Sequence, residues 1–440
     1  MLSLVGLLGS LALLIWLTVR GWNLFIATPL CAMLLALSSG IALLPPLAAT
    51  AGQDLVTLYM SGFSKFVADW FLMFLLGALF GKLMEDCGAA DSVSRWVTSR
   101  LGAKRAALAV VAACAVLTYG DVSLFVVAFS VYPMALALFR QGDLPRRFIP
   151  AALAFGSVTF TMTSAGSPEI QNWIPIKYLG TTHLAAWEAS IIVAVVMAVT
   201  GYLWLDWMLR RARARGERFE ARPGDPESTR EDLPHPGLSL LPLLVVLGVS
   251  YWLHEKYQTS ALIVALLAGC LATYALNLRY FRKLEQALSD GAVGALVAIG
   301  NTAAVVGFGM VARNAPAFQA AVDWATHLPG NGLLTAAVAV SLIAAMTGSA
   351  SGGQAIALPI LAPHFLAQGV NAEALHRTVA ISSGVLDSLP HNGYVVTTIR
   401  AICRETHAQA YGAVGALTVI VPLIGLVVAI GLLSMGFGLG

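Results

Sequence analysis

The stretch TGSASGGQ, residues Thr347–Gln354, interrupts an apolar segment that extends from 332 to 366. Two apolar limbs around a Gly- and Ser-rich turn predict a helical hairpin instead of one continuous helix. The segment 105–140 has the same layout around TYGDVS, residues Thr118–Ser123. Irregular backbone is tolerated at membrane depth only where protein or a polar cavity surrounds it. We therefore predict that both segments are re-entrant hairpins.

The composition of the whole chain is that of a membrane protein. Of its 440 residues, 58% are hydrophobic and only 11% are charged, whereas a soluble domain has about 25% charged residues. About ten further apolar stretches are long enough to cross a bilayer. The predicted fold class is an all-α polytopic membrane protein with about ten transmembrane helices and two re-entrant hairpins. The formal net charge of +3 is too small to indicate a nucleic-acid partner.

Two of the predicted spans are broken by polar residues. The span 147–175 contains TMTSAGSPE, residues Thr161–Glu169, and the span 374–400 contains DSLPHNG, residues Asp387–Gly393. Pro168 and Pro390 end the incoming helices because proline lacks the backbone N–H and clashes with the preceding turn.

The order of these features predicts an internal repeat. Each half has scaffold helices, a hairpin and a broken helix, and each has an odd number of spans, so the second half would be inverted. Inverted repeats with interrupted helices at the midplane are a plan of secondary transporters. The first repeat is residues 1–208, with scaffold helices in 3–44, the hairpin 105–140 and the broken helix 147–175. The second is residues 237–440, with scaffold helices in 238–277, the hairpin 332–366 and the broken helix 374–400.

The Arg-rich segment 209–236 joins the halves and sets the predicted orientation. If this linker is cytoplasmic, alternation of the spans places most of the 26 Lys and Arg residues inside, as the positive-inside rule requires. Both termini are then periplasmic, and the expected location is a bacterial inner membrane.

The breaks predict an anion site without any arginine. Each break begins a half-helix, whose free N–H groups and positive dipole end favour an anion. Neutral hydroxyl groups add hydrogen-bond donors. Arg147 and Arg377 are expected to be interface anchors and not ligands. The predicted substrate-binding residues are Gly120, Ser123, Ser164, Gly166, Ser167, Thr347, Gly348, Ser349, Ser351, Gly352, Ser388, His391 and Asn392.

Ionisable groups at the breaks are candidates for coupling transport to a proton or Na⁺. A carboxylate at membrane depth is costly and marks an ion path by default. The candidates are Asp121, Glu169, Asp387 and His391. Helix capping by the two aspartates, and a hydrogen bond from His391 to a backbone carbonyl, are equally open interpretations. No cofactor and no metal ion is expected.

Three motifs resemble the gluconate:proton symporter (GntP) family, and within it the D-beta-hydroxybutyrate permease branch. They are GALFGKLMEDCGAA at 77–90, SASGG at 349–353 and DSLPHNG at 387–393. The resemblance implies proton symport, an ion-transporter superfamily fold, and a homodimer whose transport domains move as elevators. Gluconate carriers resemble HPGP and NDPG at the two breaks. SAGSPE and PHNG stand here instead, which does not favour gluconate itself.

The sequence therefore predicts a secondary transporter, not an enzyme. Its predicted activity is proton-coupled symport of a small hydroxy- or keto-carboxylate, similar to 3-hydroxybutyrate or gluconate. A cation/proton antiporter and a Na⁺-coupled di- or tricarboxylate symporter are alternatives. An intramembrane serine protease is disfavoured, because no Gly-x-Ser-Gly motif surrounds Ser349 or Ser351.

Overall fold

The computed structural model describes residues 2–102, 105–119, 124–167, 169–222, 225, 232–257, 259–326 and 331–439. Within these ranges the chain is helical apart from one isolated bridge between Ala42 and Asp54. All five cysteines are buried free thiols, in agreement with a packing role.

The first half contains nine α-helices. They are α1 Leu2–Val19, α2 Leu24–Ser39, α3 Leu55–Asp86, α4 Ala89–Leu101, α5 Ala106–Tyr119, α6 Leu124–Gln141, α7 Ile149–Ala154, α8 Ile174–Leu179 and α9 Trp187–Ala214. Helices α5 and α6 are the limbs of the first predicted hairpin. Between α7 and α8 lie a π-helical turn, Phe155–Thr159, an irregular stretch and a 3₁₀ turn, Ile170–Asn172. The first broken helix is therefore interrupted where the sequence predicts it.

The second half contains ten α-helices. They are α10 Pro236–Tyr257, α11 Thr259–Leu276, α12 Leu284–Arg313, α13 Pro316–Thr326, α14 Gly332–Thr347, α15 Ala350–Ala367, α16 Ala372–Ser383, α17 Gly393–Val396, α18 His407–Gly415 and α19 Val421–Ser434. Helices α14 and α15 are the limbs of the second predicted hairpin. The second broken helix comprises α16, the irregular segment 384–392, and α17 with the π-helical turn Thr397–Ile402.

Six of the described helical segments are long and apolar enough to cross a membrane. These are Leu2–Val19, Leu55–Asp86, Leu124–Gln141, Trp187–Ala214, Leu284–Arg313 and His407–Ser434. Five shorter apolar helices accompany them. The chain is thus a multi-pass membrane protein, and the number of ten spans stays a prediction.

Two predicted boundaries are wrong. The span expected at 67–86 begins at Leu55, because Asp54 caps the helix by accepting a hydrogen bond of 2.9 Å from the Thr57 N–H. An aspartate at this position is an N-terminal signal that hydropathy does not register. The span expected at 184–208 continues as α9 to Ala214, so the first residues of the predicted linker are helical.

Helices α3 and α12 form the most extensive helix pair of the described chain. They have 32 and 30 residues, so each is about 45 Å long at 1.5 Å per residue. That exceeds a hydrocarbon core of about 30 Å, and the excess requires tilt or projection beyond it. Helices α1 and α2 pair with each other, as do α10 and α11, α5 and α6, and α14 and α15.

The linker is held to both halves by a buried ion-pair network. Arg146, before α7, donates to Glu405, before α18, at 3.0 Å and to Asp225 of the linker at 2.8 Å. Arg222 of the linker pairs with the other oxygen of Glu405 at 2.9 Å. The Glu405 side chain is only 1% exposed. The linker therefore contacts the chain beside both broken helices at the same end of the molecule.

Arg147 makes a second attachment of the linker. Its guanidinium donates two hydrogen bonds to the Glu217 carboxylate, at 2.7 and 3.0 Å. These bonds hold the pKa of Glu217 below its ordinary value. Arg147 is thus fixed by the linker and does not bind substrate.

Candidate functional site

A cavity of about 350 Å³ lies where the two predicted breaks and the second hairpin meet. Its walls come from α3, the start of α6, the first broken helix, α12, the turn between α14 and α15, and the second broken helix. The cavity therefore collects polar residues from both halves of the chain. Nine of the predicted site residues line it: Glu169, Thr347, Gly348, Ser349, Ser351, Gly352, Asp387, Ser388 and Asn392.

The turn between α14 and α15 presents a helix N-terminus to this cavity. Gly348 ends α14 with φ +62°, a left-handed conformation that favours glycine. The Ser349 hydroxyl then caps α15 by accepting from the Gly352 N–H at 3.1 Å. The Ser351 hydroxyl lies beside it, with an oxygen–oxygen distance of 3.4 Å. Free N–H groups and hydroxyl donors thus face the cavity together.

Asn392 fastens the second break to this turn. Its amide donates to the Gly348 carbonyl at 2.9 Å, and its oxygen accepts from the Val395 N–H at 2.9 Å, which caps α17. The neighbouring His391 places Nε2 at 3.2 Å from the Ala345 carbonyl. His391 is 1% exposed and does not line the cavity. The carbonyl-bonding interpretation of His391 is therefore the one that the geometry supports.

Asp387 is the acidic side chain of the second break that reaches the cavity wall. The residue is 7% exposed. The Ser388 hydroxyl donates to its Oδ1 at 2.9 Å, and the Tyr411 hydroxyl donates to the Ser388 carbonyl at 3.1 Å. A buried carboxylate with so little hydrogen-bond support is costly to keep charged, so it favours protonation or a cation.

The first break contributes different residues from those predicted. Ser164 donates to the Phe160 carbonyl at 2.6 Å, Ser167 is fully buried, and Gly166 makes a turn with φ +80° whose N–H donates to the His183 carbonyl. None of these three lines the cavity. Glu169 and Gln171 line it instead, because the irregular stretch turns before the 3₁₀ segment begins.

Three predicted site residues of the first hairpin turn lie outside the described residues. They are Gly120, Asp121 and Ser123. Their assigned roles in substrate binding and coupling stay predictions.

Arg377 is not the interface anchor that the sequence predicts. It is fully buried in α16 and donates to the carbonyls of Thr163 at 2.7 Å and Ala185 at 2.9 Å. A third bond, of 2.9 Å, reaches Oδ1 of Asn172. Arg377 of the second half therefore holds the first break in place. A basic residue inside a membrane segment is a signal of function by default, and Arg377 could have been recognised on that ground.

Two further contacts between distant residues escape sequence reasoning. Gln354 of α15 donates to the Gln171 carbonyl at 3.0 Å and to the Ser383 hydroxyl at 2.9 Å. Arg313, at the end of α12, is exposed and lines the cavity. The site thus has a cationic residue that the arginine-free interpretation omits. Among the described residues, no cluster of His, Cys, Asp and Glu could hold a metal ion.

Comparison with known proteins identifies the family. The CitMHS citrate transporter model matches residues 5–381. The uncharacterized transporter YxjC of Bacillus subtilis is 33% identical, over 95% of this chain and 96% of its own. An uncharacterized transporter of Haemophilus influenzae is 25% identical over 73% of this chain and 74% of its own.

A structural likeness is weaker than these sequence matches. The crystal structure of the YdaH transporter from Alcanivorax borkumensis aligns over 98% of this chain and 99% of its own, with 17% identity and a TM-score of 0.44. That score is too low to equate the two folds. The gluconate:proton symporter family and its hydroxybutyrate branch are not confirmed by these matches. The chain belongs to the CitMHS citrate transporter family and is a secondary transporter, not an enzyme.

Proposed function

We propose that the protein is a proton-coupled symporter of a small hydroxy- or keto-carboxylate, with its site in the 350 Å³ cavity. The observation that carries the proposal is the meeting of donor groups and one buried acid in that cavity. The donors are the N-terminus of α15 with Ser349 and Ser351, and the acid is Asp387. A carboxylate accepts from the donors, and its hydroxyl group has neighbouring hydroxyls and carbonyls as partners.

Asp387 supplies the coupling in this proposal. An anionic substrate and an ionised Asp387 in one low-dielectric cavity repel each other. Protonation of Asp387 removes the repulsion, so proton and substrate bind together and leave together. The symport direction follows from this mutual dependence, because each ligand raises the affinity for the other by the same factor.

The family description favours a second candidate, a Na⁺-coupled di- or tricarboxylate symporter. Citrate carries three carboxylates and one hydroxyl. Arg313 at the cavity wall offers a charged partner for a second carboxylate, which a monocarboxylate does not need. A cation/proton antiporter remains an outcome of the test, since it too can use buried acids.

The remaining features of the proposal follow from the sequence. The two halves are inverted repeats, with the hairpins and broken helices as an elevator that moves against α1, α2, α10 and α11. The protein is a homodimer in a bacterial inner membrane, with periplasmic termini and a cytoplasmic linker. Arg377 supports such a moving unit by joining the broken helices of the two halves.

Uptake into proteoliposomes tests the proposal. Purified protein is reconstituted, and labelled 3-hydroxybutyrate, gluconate and citrate are offered under an inward proton gradient or an inward Na⁺ gradient. We expect uptake of a hydroxycarboxylate under the proton gradient alone. Uptake of citrate driven by Na⁺ would establish the second candidate. Exchange of internal Na⁺ for protons without carboxylate movement would refute both.

A variant ties transport to the cavity. Ser351→Ala removes one hydroxyl from the wall, and Ser61→Ala removes one that bonds the Leu58 carbonyl on α3, outside the wall. A hydrogen bond to a charged group is worth about 1.5–3 kcal/mol, so Ser351→Ala should raise the KM at least about tenfold. Ser61→Ala should leave the KM unchanged. Equal KM values for both variants would place the substrate elsewhere.

A further inference from the structure

An apolar slot of about 310 Å³ lies between α4, α5, α6 and α10. Thirteen of its fourteen lining residues are apolar, and α10 contributes four leucines at helical spacing, from Leu240 to Leu247. A cavity with such a lining does not favour water, and hydrocarbon is its suitable occupant. Ala112 of α5 faces the slot and is exposed, so the slot is accessible from the surrounding bilayer.

A polar pocket of about 270 Å³ adjoins the end of this slot. It is lined by Asp91 and Arg95 of α4, and by Ala137, Arg140 and Gln141 of α6. Two guanidinium groups and one carboxylate therefore share a small space. Arg140 also lies 3.8 Å from Asp225 of the linker, which balances part of the positive charge.

The slot and the pocket form one continuous groove. Met134 of α6 lines the slot and Ala137 lines the pocket. Three residues along a helix correspond to a rise of about 4.5 Å. Helix α4 lines both spaces too, through Val93 and Arg95. The groove thus runs from an apolar zone to a charged zone within about one helical turn, as a phospholipid does.

Helix α4 is placed as an interfacial helix would be. Trp96 is 43% exposed, and tryptophan is enriched at membrane–water interfaces. The Ser92 hydroxyl donates to the Pro234 carbonyl at 2.6 Å, which fixes α4 to the segment that leads into α10. The wall of the groove is therefore anchored independently of any lipid.

We propose that this groove binds one phospholipid whose head group carries a phosphate and a primary amine, as in phosphatidylethanolamine. The acyl chain occupies the slot, Arg95 and Arg140 bind the phosphate, and Asp91 accepts from the amine. The pocket has both signs of charge, so it matches a zwitterion better than a purely anionic head group. The lipid lies between the first hairpin and α10, and this site does not depend on which substrate is carried.

Native mass spectrometry of the delipidated full-length protein in detergent tests the proposal. Phosphatidylethanolamine, phosphatidylcholine and phosphatidylglycerol with identical acyl chains are titrated separately. Phosphatidylcholine is the matched control, because its quaternary ammonium cannot donate a hydrogen bond. We expect one phosphatidylethanolamine to bind at least about tenfold more tightly than either other lipid, the size of one charge-assisted hydrogen bond.

Two variants locate the bound lipid. Ala112→Phe fills the slot, and its control Ala12→Phe adds the same ring to an exposed position of α1, outside the groove. Arg95→Gln removes one phosphate ligand. Loss of tight binding in Ala112→Phe and Arg95→Gln, but not in Ala12→Phe, supports the site. Equal binding of the three lipids, tighter binding of phosphatidylglycerol, or retention of binding in Ala112→Phe would overturn the proposal.

Discussion

Replacement of Arg377 by methionine should destabilise the protein by about 3 kcal/mol. The change leaves the buried carbonyls of Thr163 and Ala185 without this donor, and an unsatisfied buried acceptor costs about 1–3 kcal/mol. Asn172 and His183 keep other partners: Asn172 Oδ1 lies 3.4 Å from His376 Nε2, and the His183 carbonyl accepts from Gly166. Removing the buried charge recovers some desolvation energy, which keeps the estimate near the middle of the range.

The assay is thermal unfolding in detergent, followed by intrinsic tryptophan fluorescence. Trp173 stacks on His183 at a centroid distance of 5.3 Å, within the segment that Arg377 holds. A loss of about 3 kcal/mol should lower the Tm by about 6 °C or more. The matched control is Arg147→Met, which breaks a partly exposed pair with Glu217 and should lower the Tm by about 2 °C or less. A Tm for Arg377→Met within that control range would refute the clamp.

Asp387→Asn should abolish or uncouple uptake while leaving the Tm within a few degrees, because the amide keeps the Ser388 hydrogen bond but cannot carry a proton; normal proton-coupled uptake by this variant would remove the role assigned to it. Gly393→Val should inactivate transport, since a Cβ at residue 393 would lie 2.4 Å from Thr302 Cγ2; Gly412→Val, with open space around its Cβ, is the control in the same uptake assay. Arg313→Gln should weaken binding of citrate more than that of 3-hydroxybutyrate, and equal ratios of the two KM values would show that Arg313 does not meet a second carboxylate.

The local features of the site could be predicted from the sequence. Gly348 and Ser349 sit where a left-handed cap and an N-cap are needed, and such signals act over a few residues. Asn392 follows the same logic, since it caps α17. The two breaks and both hairpin limbs were found for this reason.

Contacts between distant parts of the chain could not be predicted in the same way. Arg377 and Thr163 are 214 residues apart, and Gln354 and Gln171 are 183 apart. Only packing of the two halves determines that these side chains meet. The exclusion of Ser164 and Ser167 from the cavity has the same origin, because a polar break can satisfy its hydroxyls internally and present other residues to the space.

The ion-pair network of the linker has a consequence for how this end of the molecule could separate. Arg146, Arg222 and Glu405 join surfaces through charges and not through apolar side chains. Charged groups regain hydration when they part, which offsets most of the attraction that is lost. Apolar surfaces gain nothing comparable on exposure to water. A contact of this kind works as a reusable latch: it defines one closed arrangement closely, yet it can be released without a large net expense of free energy.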